Sequence, residues 1–337
     1  MMKTVEKRII RNWLYSGLLL IALMVIIGGI TRLTHSGLSM VEWKLIGGTI
    51  PPLNDLKWQE TFEKYQQFPE YQKINTGMQL AEFKVIFFWE YLHRLLGRLI
   101  GLVFIIPFVI FWIKKWFNPK QKKQLLILLG LGALQGFLGW FMVKSGLVDV
   151  PAVSHFRLAI HLATAFGLMC YIYWLILSFT ETEKRTNKTI NKLSQYLIIA
   201  LLIQIIYGAF VAGLKAGYLL PANGGVFESV FGYSFRNSND FNLLNNSFDI
   251  QAFHRLFAWV VFAITLIIFN KTRKTALAKV GALVLGLTMV QIILGISTLL
   301  LSVQIHTAIT HQFIAITLLL SVVKLTYFSS EKSQLNA

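Results

Sequence analysis

Residues 86–113, IFFWEYLHRLLGRLIGLVFIIPFVIFWI, and residues 251–270, QAFHRLFAWVVFAITLIIFN, decide how this chain folds. Each is an apolar run longer than the roughly 18 residues that let a helix cross a bilayer. Each carries a His-Arg pair near its start, His93-Arg94 and His254-Arg255, and each pair is followed two apolar runs later by another histidine, His161 and His311.

Working outward from these runs, the hydropathy predicts eight spans, at about 12–30, 86–113, 124–143, 155–178, 194–214, 251–270, 277–301 and 306–328. The 337 residues are 55% hydrophobic and 14% charged, with mean hydropathy +0.60, which excludes a soluble globular domain. The expected fold is an all-α integral membrane protein, with eight transmembrane helices forming two pseudo-symmetric four-helix bundles, residues 1–180 and 181–337.

A net charge of +17 raises the question of nucleic acid, but the placement of the charge answers it. Lys114, Lys115, Lys120, Lys122 and Lys123 fill one short loop; Lys184, Arg185, Lys188 and Lys192 lie in another; Lys271, Arg273, Lys274 and Lys279 lie in a third. With Lys3, Lys7, Arg8 and Arg11 these fall on one side of an eight-span topology, whereas the 31–84 loop holds six basic and six acidic residues. That asymmetry follows the positive-inside rule and predicts both termini in the cytoplasm, with the bilayer rather than nucleic acid as partner. The first run, Trp13 to Ile30, is too long for a signal-peptide core and lacks a small-x-small cleavage site, so it reads as an uncleaved span. Barely a dozen residues precede it, too few for a mitochondrial presequence, and a bacterial inner membrane is the expected location. Cys170, the single cysteine, lies mid-span and reads as a structural thiol.

The halves repeat. GGITRLTHSG (28–37) aligns with GAFVAGLKAG (208–217), Gln135-x-x-x-Gly139 with Gln291-x-x-x-Gly295, and His161 with His311. An even number of spans per unit makes this a parallel repeat about an axis along the membrane normal. Most of the glycines read as close-packing positions between helices. The 215–250 segment, rich in Gly, Asn, Ser and Phe, and the 31–84 loop are the two sizeable outer segments, placed to cover the bundle mouths.

His93, His161, His254 and His311 fall near the starts of even-numbered spans, hence at similar depth near the outer face. Two imidazoles per bundle on alternate helices suit bis-histidine heme ligation. Zinc fits less well, without cysteine ligands or clustered carboxylates. His155 and His306 point to other helix faces at the interface level and read as neighbours of the ligands, with exchange of the ligand role left open. His35, matched by Lys215, reads as a general cation. Arg94, Arg98, Arg157, Arg255 and Arg32 lie at the outer end against the charge trend, where anionic partners are expected; heme propionates suit the arginine fork, and lipid phosphate is the alternative. Glu90 stands three residues before His93, on the same helix face, where the second half has Gln251. An acid beside an apolar macrocycle suits proton transfer, and a hydrogen bond to an imidazole is the plainer role.

The segments GGITRLTHSGLSMVEWKLIGGTIPP, FFWEYLHRLLGRLIGL, FRLAIHLATAF, QAFHRLFAW and THQFIAITLLL resemble the heme A synthase family, in its mitochondrial and proteobacterial-type branch. The resemblance spans nearly the whole chain and implies oxidation of a methyl substituent of heme O to the formyl group of heme A. It implies that His93 and His161 flank the substrate heme, that His254 and His311 ligate a heme b, and that Glu90 is the essential acid. The cysteine pair that some bacterial members carry in an outer loop is missing, which excludes a thiol mechanism there. The expected partners are heme O and heme A, a heme O-forming farnesyltransferase and an electron acceptor, with room for a homo-oligomer. The rival readings are a bis-histidine cytochrome of quinol oxidation and a heme carrier without turnover.

Overall fold

The computed structural model describes residues 3–42, 47–147, 151–180, 185–219 and 241–331. Lys184 and residues 220–240 of the 215–250 segment lie outside the described residues. Among the described residues there are ten α-helices and no strand. Eight are long and apolar enough to cross a membrane: α1 (Thr4–Leu33), α4 (Leu80–Ile113), α5 (Pro119–Lys144), α6 (His155–Ser178), α7 (Lys188–Gly213), α8 (Ser247–Thr272), α9 (Ala278–Leu300) and α10 (Ile305–Ser329). This is a multi-pass, all-helical membrane protein.

The helices outrun several of the expected spans, because hydropathy marks where lipid ends while capping chemistry marks where a helix ends. α4 begins at Leu80 rather than 86: the Gln79 and Glu82 side chains form a reciprocal capping box, with Gln79 N–H donating to Glu82 Oε2 at 2.8 Å. Asn118, Asn187 and Asn246 cap α5, α7 and α8 by accepting from the first-turn amides.

Two shorter helices that hydropathy does not reveal, α2 (Asp55–Gln66) and α3 (Pro69–Lys73), lie between α1 and α4. They account for the extra length of α4. Phe62 and Tyr65 of α2 pack against Phe83, Ile86 and Phe87 of α4 in a buried aromatic cluster edged by Trp58, Tyr71 and Tyr91. Phe83 and Tyr65 are wholly buried, their rings stacked 5.0 Å apart. Asn75 donates to the Tyr65 hydroxyl at 2.7 Å, and burial of that phenol pushes its pKa up.

The chain divides into two compact units, Leu19–Ala165 with Met1–Met2, and Lys3–Leu18 with Phe166–Ala337. In the second unit α7 packs on α8, α8 on α9, α9 on α10 and α10 back on α7, a closed four-helix ring. In the first unit α4 packs on α5 and carries α2, while α1 meets α4 through the Thr31 hydroxyl donating to the Trp89 carbonyl at 3.3 Å.

The turns that leave α1 and α7 share one backbone device. His35 (φ 53°) and Lys215 (φ 55°) are both left-handed and end their helices, a position usually filled by glycine or asparagine. Each unit also interlocks two of its loops through a glycine. A Cβ on Gly146, after α5, would stand 2.9 Å from both methyls of Leu38, after α1. A Cβ on Gly217, after α7, would stand 3.0 Å from Val303, after α9, where Ser302 and Val303 are both left-handed.

Candidate heme-binding histidine pairs

Each of the four histidines is seated against a glycine on the preceding transmembrane helix of its bundle. A Cβ on Gly28 of α1 would stand 3.0 Å from His93 Cε1, and one on Gly139 of α5 would stand 3.3 Å from His161 Cε1. In the second unit a Cβ on Gly208 of α7 would stand 3.1 Å from His254 Cε1, and one on Gly295 of α9 would stand 3.2 Å from His311 Cε1. These glycines do more than let backbones approach: each is the floor beneath one imidazole, and a methyl group there would press on the ring.

The Nδ1 atoms of His93, His161, His254 and His311 are all buried without a hydrogen-bond partner. Unpartnered buried polar atoms are rare, and four in equivalent seats call for a ligand. His93 lies within electrostatic reach of His161, and His254 of His311. Among the described residues no three of His, Cys, Asp or Glu converge. Pairs of imidazoles on apolar helix faces would hold a heme iron more readily than they would fill the four-ligand shell of zinc. His155 opens α6 with its ring tilted against that of Phe156, centroids 4.0 Å apart, and His306 is exposed at the start of α10; no glycine among the described residues seats either.

Three seats carry a glutamine one turn before the glycine. Gln135 donates to the His161 carbonyl at 3.2 Å and Gln204 to the His254 carbonyl at 2.8 Å. The Gln204 amide also lies 3.5 Å from His254 Nε2, and the Gln291 amide 3.3 Å from His311 Nε2. Sequence comparison pairs Gln135 with Gln291 but misses Gln204, because the matching residue of the first half is Met24.

Glu90 is buried, but in a polar nest rather than beside an apolar surface. Its Oε2 accepts from the Ser39 hydroxyl at 2.8 Å and the Met40 N–H at 2.7 Å; its Oε1 is paired with Arg94 Nη2 at 2.5 Å. Arg94 also donates to the carbonyls of Met40 at 2.8 Å and Glu42 at 2.9 Å. Together the two side chains fasten residues 39–42, the turn leaving α1, to the helix that carries His93. Gln251 does the same for the second bundle with opposite polarity, its amide donating to the carbonyls of Ala216 and Leu219, both at 2.8 Å. The carboxylate faces donors and the amide faces acceptors, which is a local reason for the Glu/Gln difference.

Arg157 donates to the Phe141 carbonyl at 2.8 Å and lays its guanidinium 3.7 Å over the Phe141 ring. Arg98 and Arg255 are half-buried on α4 and α8, and His35 is exposed. Cys170 is half-buried in α6. A cavity of about 220 Å³ at the start of α1 is lined by Thr4, Val5, Lys7, Arg8, Arg11 and Phe179, and contains none of the histidines.

Residues 11–323 match the profile of the cytochrome oxidase assembly protein family COX15-CtaA. The chain belongs to this family. Among curated relatives it is 46% identical over 329 residues to a heme A synthase of Flavobacterium johnsoniae, covering 93% of this chain and 96% of the relative. It is 44% identical over 321 residues to a heme A synthase of Flavobacterium psychrophilum, covering 91% and 94%. It is 39% identical over 324 residues to one of Brucella ovis, covering 93% and 90%. No solved structure matches the chain. Membership in COX15-CtaA accords with the resemblance read from the motifs around His93 and His254.

Proposed function

We propose that this protein is a heme A synthase, oxidising a methyl substituent of heme O to a formyl group to give heme A for terminal oxidase assembly. The observation that carries this reading is the pair of glycine-seated histidine sets, only one of which has a carboxylate on the same helix face. The names of its relatives add support. His93 and His161 of the first bundle, residues 1–180, flank the substrate heme O. His254 and His311 of the second, residues 181–337, hold a resident heme b, which when bound supplies one-electron redox chemistry.

The protein's own residues orient and exclude. Gly28 and Gly139 set the imidazole positions in the first bundle, and the Glu90–Arg94 pair closes the turn 39–42 beside His93. Glu90 is the acid in reach of a proton there, with the Ser39 hydroxyl as its neighbour on Oε2. Arg94, Arg98, Arg157 and Arg255 are the cations for propionates, Arg94 also holding Glu90 and two carbonyls and Arg157 the Phe141 carbonyl. The protein lies in a bacterial inner membrane with both termini in the cytoplasm, receives its substrate from a heme O-forming farnesyltransferase or from lipid, and passes electrons to an acceptor.

One observation favours the rival reading of a bis-histidine electron carrier: Glu90 and Gln251 both brace a turn, so the acid is not needed solely for chemistry. Co-expression with a heme O-forming farnesyltransferase, followed by extraction and separation of the hemes, decides between them. Heme A is the expected product; its absence while heme O accumulates overturns the enzyme reading.

A further inference from the structure

The four histidine seats are built alike except in one place. Gln135, Gln204 and Gln291 each stand one turn before a seat glycine, and Ala165, Ala258 and Ala315 each stand one turn after the corresponding histidine. At His93 both positions differ: Met24 replaces the glutamine and Gly97 the alanine. The exchange is matched in volume, since a Cβ on Gly97 would stand 3.1 Å from the Met24 methyl, Cε. What is lost is a donor. A thioether is only a weak acceptor, so Met24 can give no hydrogen bond to the His93 carbonyl or ring, whereas the unpartnered Nδ1 is common to all four seats.

The glutamines tie two helices together at the ligand. Gln204 fixes the His254 carbonyl, and Gln135 fixes the His161 carbonyl. The Gln291 side chain ends 3.3 Å from His311 Nε2, where its carboxamide oxygen, otherwise unpartnered, can accept the ring N–H and leave Nδ1 for the iron. Groups that hold a ligating histidine in place typically raise metal affinity by about 10- to 100-fold, because less freedom is lost on binding. In the second bundle both histidines have a glutamine brace; in the first only His161 does. A redox relay must keep its heme, whereas a catalyst must release one product per turnover.

We propose that these amide braces divide retention from exchange. Gln204 and Gln291 lock heme into the second bundle, and the Met24–Gly97 pair leaves His93 a loosely held ligand, through which the first bundle loads and releases its heme. Met24 and the glutamines are positioning residues, acting through the histidines. The proposal rests on the assignment of substrate to the first bundle.

The test uses the full-length protein purified with its hemes, mixed with excess apomyoglobin as heme acceptor. The hemes remaining are extracted and separated at intervals. Heme O and heme A are expected to leave faster than heme b. M24Q/G97A, which installs the pair present at the other three seats, slows their departure by about 10- to 100-fold. Q204M and Q291M, nearly isosteric, speed the loss of heme b by a similar factor. Should M24Q/G97A not fold, the two methionine variants decide the matter alone. Heme b departing at the wild-type rate from both overturns the proposal, as does unchanged departure of heme O from a folded M24Q/G97A. Departure needs no turnover, so a protein that binds heme O but makes no heme A sinks the proposed function and leaves these rates readable.

Discussion

Replacing the four seat glycines with alanine, one at a time, yields a graded series whose order the geometry fixes in advance. Ordinary contact begins at 3.4 Å, and the added methyl would stand at 3.0 Å from His93 in Gly28→Ala, 3.1 Å from His254 in Gly208→Ala, 3.2 Å from His311 in Gly295→Ala and 3.3 Å from His161 in Gly139→Ala. The shortfall is thus about 0.4, 0.3, 0.2 and 0.1 Å, and the imidazole, rather than a helix backbone, must yield. Overpacking of a close-packed site costs about 1–3 kcal/mol, and every 1.4 kcal/mol is tenfold in affinity. Gly28→Ala is therefore expected to weaken heme in the first bundle by about tenfold to a hundredfold, and Gly139→Ala by a few-fold at most. Gly208→Ala and Gly295→Ala lower the resident heme b content instead. The assay is heme stoichiometry of the purified variants by extraction, with thermal unfolding measured alongside. Equal heme contents across the series, or a loss in thermal stability with heme retained, would show that the glycines serve helix packing alone.

Three further predictions follow from the polar contacts. Glu90→Gln and Arg94→Ala each break a buried ion pair, a change worth about 3–5 kcal/mol when one partner is left behind, and both should loosen the turn at 39–42 to limited proteolysis. If Glu90 also moves a proton, only Arg94→Ala retains some heme A formation; equal loss of activity in both variants would reduce Glu90 to a brace. Gln251→Glu turns two donated hydrogen bonds into a carboxylate facing the Ala216 and Leu219 carbonyls, and should cost heme b and about 1–3 kcal/mol or more of stability; wild-type heme b content and melting temperature would refute the brace there. The raised pKa of Tyr65 stabilises the fold fully below the phenol's unfolded value near 10 and less as pH climbs toward the folded value, so tryptic cleavage at Lys57 and Lys64 should rise at alkaline pH. Tyr65→Phe should weaken α2 by about 1 kcal/mol at neutral pH and flatten that rise; an unchanged alkaline profile would contradict the argument.

The sequence carried the spans and the histidine pairs plainly, because hydropathy and a repeated His-Arg pair are local signals. It carried the seat glycines too, since Gly28 and Gly208 align, as do Gly139 and Gly295; what it could not carry was their partner, which lies on another helix. Gln204 stayed hidden for a related reason. Repeat comparison finds residues that match, and its mate in the first half is a methionine. The donors around Glu90 are not legible in the sequence, because Ser39 and Met40 lie about fifty residues away in the chain and Arg94 is equally suited to a propionate. The helices α2 and α3 escape a hydropathy reading because they are short and mostly polar, although Trp58, Phe62 and Tyr65 recur at helical spacing, and with them goes the reason α4 starts at Leu80.

The interlocked loops bear on how a duplicated protein can drift. In the first bundle the loop after α1 supplies the knob, Leu38, and the loop after α5 supplies the hole, Gly146. In the second the arrangement is reversed, with the hole at Gly217 after α7 and the knob at Val303 after α9. Grafting a single loop from one half into the other therefore sets knob against knob or hole against hole. Changes at these sites are expected to show strong genetic interaction: a harmful Gly146→Ala should be suppressed by Leu38→Ala, and chimeras of the two halves should survive only when both loops travel together.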